Sequence, residues 1–324
     1  MKREKNLDFT AGVLIIYMIY GHCAQIAGTE DIFPYKELQY FLYFFMGWFF
    51  FKSGMFHKTN KKMSTMVRDD IQRLIKPFAI CSFMGLTVNI AFLVINRDIN
   101  WIHYVFTPFK EIILGGSLSG NLPLWFLPTL FFVRPIFVII CKIKNRKLMK
   151  TLIVLSGIIA FKMSCIESIF FHNWITAIFT GIFFYGCGFL LKKLQYNNYV
   201  IWISLILYSS SFFYNSMVDF RTNTLISGHY LCWLISSLSG IIVWNNISKY
   251  IRKDDFFVQI GINSMFYYAL HWLPLYLISN IMIVMKLFMN PVINFVILAI
   301  STLIFFVILQ MYISKNTMHK LGLK

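Results

Sequence analysis

The stretch that decides the fold is LDFTAGVLIIYMIYGHCAQIAG, residues 7–28. It contains a long apolar run, and about 20 such residues are enough for a helix to cross ~30 Å of hydrocarbon. The stretch also places a histidine, His22, well inside that run. An ionisable group is costly inside a membrane and ordinary in a soluble core, so the solvent around this helix determines what His22 signifies.

The composition indicates a lipid environment for the whole chain. Of its 324 residues, 58% are hydrophobic and 13% are charged, whereas a soluble domain carries about 25% charged residues. The apolar residues come in blocks rather than in amphipathic stripes. We therefore predict an all-α, polytopic integral membrane protein. It forms a single membrane domain over residues 1–324, with about ten transmembrane helices at 9–27, 37–56, 76–96, 122–141, 150–164, 173–191, 198–217, 225–246, 262–285 and 291–314.

The distribution of Lys and Arg predicts how these helices are oriented. Basic residues collect on the cytoplasmic side of membrane proteins. With the N-terminus inside, most of them fall in inner segments, and the outer segments hold Lys36, Arg97, Lys110, Arg221 and Lys286. We predict cytoplasmic N- and C-termini and a multi-pass protein of the plasma membrane. The net charge of +17 then reflects topology and contact with anionic lipid, so we expect no nucleic-acid partner.

The N-terminal segment and the cysteines are consistent with a single membrane domain. No convincing small-x-small cleavage site follows the first apolar run, so we interpret it as a retained helix rather than a secretory signal. The six cysteines show no C-x-x-C pair and no zinc spacing, and we predict free thiols, no metal site and no bound cofactor. Segment 97–121, which contains GGSLSGNLP, predicts an irregular outer loop.

Five basic side chains lie inside the predicted spans: His22, Lys52, Arg134, Lys162 and His271. Such residues usually face a bundle interior or a wet cavity. A rise of 1.5 Å per residue puts His22 ~20 Å and His271 ~14 Å above the inner face, with Arg134 at ~12 Å and Lys52 at ~8 Å. We interpret Lys162 as a side chain that snorkels to the lipid headgroups. For Lys52, snorkelling and a role in a functional site are equally good interpretations.

This arrangement suits acyl transfer from a cytoplasmic donor that carries phosphates. The two cations, Lys52 and Arg134, would hold the anionic end of the donor. A neutral imidazole above them would accept a proton from an acceptor hydroxyl. Proton-coupled transport also uses buried histidine and arginine, and depth does not decide between the two.

Several short motifs, taken in order, resemble the membrane-bound acyltransferase 3 family, whose members typically have about ten helices. The resemblance runs from about residue 5 to 314. Its motifs are NLDFTAGVLIIYMIYGH (6–22), YFLYFFMGWFFFKSGMFHK (40–58), RLIKPF (73–78), LPLWFLPTLFF (122–132), FTGIFFYGCGFLLKK (179–193) and IGINSMFYYALHWLPLY (260–276).

The resemblance implies transfer of an acyl group, usually acetyl from acetyl-coenzyme A, to a hydroxyl of a glycan or lipid-linked sugar of the cell envelope. By motif position, His22 corresponds to the catalytic histidine of that family. One departure is that Ala11 stands eleven positions before His22, where the family has a basic residue. Our hypothesis is that Arg134 or Lys52 substitutes for it, because rise places both at a depth similar to that of Ala11.

Three further residues are candidates for binding substrate or donor. Trp125 is either a pocket wall or part of the aromatic belt at the membrane interface. Ser264 and His271 are seven positions apart and share a helix face, as two residues lining one cavity or two polar residues of the core would. Two other functions stay open: a transporter or flippase for a glycan precursor, and a non-catalytic member of the family in which Ala11 replaces the basic residue.

Overall fold

The computed structural model of the protein is nearly all-helical, as the sequence predicts. It describes residues 4–32, 35–95, 101–166, 173–214, 216–251, 255–287 and 290–323; Arg97, one of the basic residues used to orient the chain, lies outside these ranges. The helices are α1 (Lys5–Ala27), α2 (Tyr35–Leu42), α3 (Phe45–Met55), α4 (Met63–Asp70), α5 (Lys76–Ile95), α6 (Trp101–Gly115), α7 (Phe126–Cys141), α8 (Arg146–Ser164), α9 (Ala177–Leu191), α10 (Asn198–Tyr214), α11 (Tyr230–Tyr250), α12 (Asp255–Ile262), α13 (Ser264–Leu270), α14 (Trp272–Val284), α15 (Pro291–Tyr312) and α16 (Lys315–Lys320).

Within the described residues, six helical segments are long and apolar enough to cross a membrane. They are Lys5–Ala27, Met63–Ile95, Gly120–Cys141, Tyr230–Tyr250, Ser264–Val284 and Pro291–Tyr312. The other predicted spans, 37–56, 150–164, 173–191 and 198–217, also lie in helices, but these helices are shorter or carry more charge. The chain is therefore a multi-pass helical membrane protein, while ten crossings and cytoplasmic termini stay a prediction.

Helix α1 lies at the centre of the fold, against the C-terminal helices α11 to α15. A Cβ added at Gly12 would come within 1.9 Å of the carbonyl oxygen of Phe257, and one at Gly261 within 1.7 Å of the carbonyl oxygen of Asp8. Small residues permit this close backbone contact between membrane helices. Because α1 and α12 touch at the backbone, the later turns of α1, which carry His22, have a fixed position.

A short β-hairpin departs from the all-α prediction. Strand β1 (Met217–Asp219) pairs antiparallel with β2 (Thr224–Ser227), in a part of the chain where helices over 198–217 and 225–246 were expected. Between the strands, Asn223 has a φ of 55°, a left-handed conformation that asparagine tolerates better than most residues. The strands are only three and four residues long, and the polar residues Asp219, Arg221 and Asn223 between the two predicted spans indicated a loop.

The prediction of an irregular loop over 97–121 was wrong, because most of the described part of this segment is α6. The glycine and serine residues that suggested a loop occupy only 115–120. Before them, apolar residues recur at intervals of three or four, the spacing of a helix: Phe106, Phe109 and Ile113. A 3-10 turn, Ser119–Trp125, then leads into α7.

Candidate active site

His22 lies at a cavity of about 430 Å³ near the C-terminal end of α1. Its side chain is half-buried. The helix ends soon after at Gly28, whose φ of 70° is the left-handed conformation that stops a helix without steric cost. The walls of the cavity come from α1, the turn 119–125, the β-hairpin and the helices α13 and α14. The cavity therefore lies where one end of the central helix meets several distant parts of the chain.

The two candidate histidines are in contact. The rings of His22 and His271 stack, with centroids 5.2 Å apart and planes 22° from parallel. Trp272 meets the His22 ring edge-on at 5.1 Å. His271 is fully buried at the break between α13 and α14. The structure thus places both imidazoles and an indole in one contiguous group.

A hydrogen bond assigns the proton on the His271 imidazole. His271 Nδ1 is 2.8 Å from the carbonyl oxygen of Tyr268, which only accepts, so Nδ1 carries the proton and donates it. Its Nε2 is buried and has no hydrogen-bond partner among the described residues. His22 Nδ1 is 3.3 Å from the side-chain amide of Gln25, which contains both an acceptor and a donor, so this contact is compatible with a proton on either ring nitrogen of His22.

Helix α13, which directly precedes His271, is hydrogen-bonded to the 3-10 turn that carries Trp125. The hydroxyl of Tyr268 donates to the carbonyl of Pro123, and Asn121 Nδ2 donates to the carbonyl of Ala269 at 3.0 Å. Trp125 is buried and lines the cavity. These bonds hold Trp125 as a wall facing the same space as His22.

Lys52 lies at the opposite end of α1 from His22. Its Nζ is 3.6 Å from Asp8 Oδ1, 3.4 Å from the carbonyl oxygen of Leu7, and 5.1 Å from the ring centroid of Trp48. Asp8 precedes His22 by 14 residues, which is about 21 Å along a helix. Lys52 therefore does not reach the cavity.

Arg134 forms an ion pair with a buried carboxylate. Its Nη1 is 2.5 Å from Asp70 Oδ1, and the Asp70 side chain is 2% exposed. Nearby, His57 Nδ1 and the Tyr185 hydroxyl are 2.8 Å apart. Burial, together with the positive charge of Arg134, lowers the pKa of His57 to about 4. Arg134 does not line the His22 cavity, so the two predicted cations have separate partners in separate places.

Ser264 does not line the cavity that His22 lines. It borders a smaller space of about 60 Å³ between α1, α3 and α13, whose other lining side chains are apolar or aromatic: Ile15, Met18, Met46, Phe49, Phe126, Met265 and Tyr268. Sharing a helix face with His271 is not enough to bring the two together, because seven positions separate them by ~10 Å along the helix axis.

Comparison with known families identifies the chain. A family model described as an acyltransferase domain, acyltransferase 3, matches residues 4–311. The chain belongs to the acyltransferase 3 family. Comparison with curated proteins and with solved structures finds no match. The match confirms the resemblance seen in the motifs and makes the protein a membrane acyltransferase in general terms.

Lys52 contacts helix α1 one turn before Ala11, the position at which the family has a basic residue. Ala11 is fully buried, and Asp8, the partner of Lys52, lies one turn before it on α1. Arg134 pairs instead with a residue of α4. Of the two cations that we suggested as replacements for the basic residue of the family, Lys52 is thus the one held against the same part of α1.

Sequence reasoning missed several cavity residues of the acyltransferase. Gln25 follows His22 by three positions, so helical spacing could have identified it. Trp272 follows a candidate histidine directly. Arg221 was assigned only to an outer loop, and no sequence signal indicates that a hairpin brings it to the His22 cavity.

Proposed function

We propose that the protein is a membrane O-acyltransferase of the plasma membrane that moves acetyl from acetyl-coenzyme A to a sugar hydroxyl. The acceptor belongs to a cell-surface or exported polysaccharide, or to a lipid-linked sugar. The observation that carries the proposal is the His22 imidazole at a cavity of about 430 Å³, stacked on a second imidazole, His271. Neither cofactor nor metal is needed for this chemistry.

In the proposed mechanism His22 is the general base. As the acceptor oxygen attacks the thioester carbonyl carbon, its proton moves to His22 Nε2. The carbon–sulfur bond then breaks, the ester forms, and the coenzyme A thiolate takes the proton from the imidazolium. In this mechanism His22 Nδ1 carries the proton and donates it to Gln25 Oε1, so that Nε2 is unprotonated at the start of each cycle.

The surroundings of His22 support this role. His271 stacks on it and donates its Nδ1 proton to the Tyr268 carbonyl, which fixes the orientation of the ring that packs against His22. Trp125 and Trp272 give the cavity apolar walls, and such walls with a few polar groups are typical of small-molecule sites. At the other end of α1, Lys52 would meet the phosphates of a donor that enters from the basic inner face.

The test is transfer of radiolabelled acetyl from acetyl-coenzyme A to surface polysaccharide in membranes that carry the protein. We expect label with wild type and a loss of at least a hundredfold with His22→Ala, since a positioned general base contributes about 10²- to 10⁴-fold. His319→Ala, which removes an exposed histidine far from the cavity, is the matched control and should leave the label unchanged.

The same assay separates the alternatives. Wild type that binds acetyl-coenzyme A without transferring label would indicate a non-catalytic member of the family, with Ala11 as the reason. Wild type that neither binds acetyl-coenzyme A nor transfers label, but moves a glycan precursor across vesicle membranes, would indicate a transporter or flippase.

A further inference from the structure

The His22 cavity contains a cation that no step of the proposed mechanism uses. Arg221 lines the cavity, and its side chain is half-buried. Among the described residues it forms no ion pair, whereas Lys52 and Arg134 both do. Two carboxylates, Glu30 and Asp219, line the same cavity, but neither pairs with the Arg221 guanidinium, which therefore has a position open for an anion.

Asp219, the carboxylate closest to Arg221 in the chain, accepts two hydrogen bonds within the turn between the strands. Asp219 Oδ1 accepts the backbone N–H of Arg221 at 2.9 Å, and its Oδ2 accepts the Thr222 hydroxyl at 2.9 Å. These two bonds shape the turn between the strands. They leave the guanidinium of Arg221, rather than its backbone, to meet whatever occupies the cavity.

The hairpin holds Arg221 firmly between two buried anchors. On one side Phe220 stacks on Phe50, with centroids 5.3 Å apart and planes 6° from parallel. On the other side Asn223 donates to the carbonyl of Ala160 at 2.8 Å and accepts from the Tyr230 hydroxyl at 2.5 Å. A side chain mounted on so fixed a backbone loses less conformational freedom on binding.

The position of Arg221 identifies which substrate it serves. It lies at the His22 end of α1, whereas Lys52 contacts Asp8 about 21 Å away along the helix. A donor that enters from the inner face, as proposed above, brings its phosphates to the Lys52 end of α1. An anion at Arg221 therefore belongs to the molecule that enters from the other side, which is the acceptor.

We propose that Arg221 binds an anionic group of the acceptor, so that the preferred acceptor is an anionic sugar, charged either on the sugar itself or on its lipid linkage. This inference rests on the proposed function, because it needs an acceptor to be present. The shared chemistry is an oxyanion that the planar guanidinium holds through two parallel hydrogen bonds. Two sources can supply it: a uronic acid carboxylate within a sugar chain, or the phosphate of a lipid-linked sugar.

The experiment measures binding to the full-length protein in nanodiscs through quenching of tryptophan fluorescence, because Trp125 and Trp272 line the cavity. The probes are a glucuronate-containing trisaccharide, the same trisaccharide with its carboxyl group reduced to an alcohol, and a diphosphate-linked neutral sugar on a short prenyl chain. Preference for the first probe over the second points to a carboxylate. Tight binding of the third alone points to a lipid phosphate.

We expect wild type to bind at least one anionic probe about tenfold or more tightly than the neutral trisaccharide, as a charge-assisted hydrogen bond at a partly buried site implies. Arg221→Gln should abolish that preference, and Arg221→Lys should keep part of it. Lys110→Gln, which removes an exposed positive charge of α6, is the control and should bind like wild type.

Equal binding of all three probes by wild type overturns the inference without any variant, so misfolding of Arg221→Gln cannot rescue it. A preference that survives in correctly folded Arg221→Gln also overturns it. If wild type transfers acetyl but shows no preference for an anionic probe, only this inference fails. If binding depends on Arg221 but wild type transfers no acetyl, only the proposed function fails.

Discussion

Removing Arg134 tests whether its role is structural or concerns the donor. The Arg134 side chain is 27% exposed and that of its partner Asp70 only 2%. Arg134→Leu therefore leaves a carboxylate buried without its counter-ion. Activity lost in this variant alone would not show that Arg134 contacts acetyl-coenzyme A, because the protein itself is weakened.

The size of the effect follows from the burial of Asp70. Removing one member of a buried ion pair costs about 3–5 kcal/mol, because the remaining charge is desolvated and uncompensated. Since a quarter of Arg134 is exposed, we expect the lower end, about 3 kcal/mol. The double variant Arg134→Leu with Asp70→Asn has no buried charge left and should regain most of this free energy of unfolding.

The assay is unfolding in mixed micelles with a denaturing detergent, followed by acetyl transfer at matched amounts of folded protein. Lys61→Leu is the control, because it breaks the more exposed ion pair between Lys61 and Asp69 and should change the free energy of unfolding much less. A folded double variant that keeps full transfer would show that Arg134 does not replace the basic residue missing at Ala11.

Two results would contradict the reasoning. If Arg134→Leu is as stable as wild type, Asp70 does not depend on its counter-ion in the folded state. If the double variant is as unstable as the single one, the loss comes from packing of the Arg134 side chain, and the charge of Asp70 is not the cause.

Two further predictions concern helix packing and pH. Gly261→Ala should prevent α1 and α12 from packing together, because its Cβ would lie 1.7 Å from the carbonyl oxygen of Asp8. The control Gly115→Ala meets open space and should behave like wild type. The yield of monodisperse protein in size-exclusion chromatography measures both effects. Because burial and Arg134 lower the pKa of His57 to about 4 from the ordinary value of 6.5, the folded protein binds fewer protons than the unfolded chain between these values. Stability should therefore fall as the pH drops from 6.5 to 4, and His57→Gln should reduce that fall; an undiminished slope in His57→Gln would refute the assignment.

The sequence predicted the helical membrane class and the family correctly, because both depend on local patterns. Runs of apolar residues specify helices that span lipid whatever their neighbours are, and the motif ending in His22 is continuous in the chain. The hairpin at 217–227 and helix α6 were missed. The strands of the hairpin are only three and four residues long. In segment 97–121 the loop-forming residues occupy only the C-terminal end, 115–120.

The rise per residue along a helix predicted how deep each basic side chain lies in the membrane, but not which residue it contacts. It placed Lys52 and Arg134 at similar levels, yet Lys52 pairs with Asp8 of α1 and Arg134 with Asp70 of α4. Depth is one coordinate of three, and the rotation of each helix and its neighbours decide the other two. For the same reason Ser264, on the predicted face of His271, borders a different cavity.

By itself the sequence determined that this is a multi-pass membrane protein of the acyltransferase 3 family with a histidine deep in its first helix. These properties depend on run length and on residue order. The stacking of His22 on His271 and the presence of Arg221 at the His22 cavity follow only from the tertiary structure. Contacts between residues so far apart in the chain arise from the packing of helices against one another, and that packing depends on the whole chain at once.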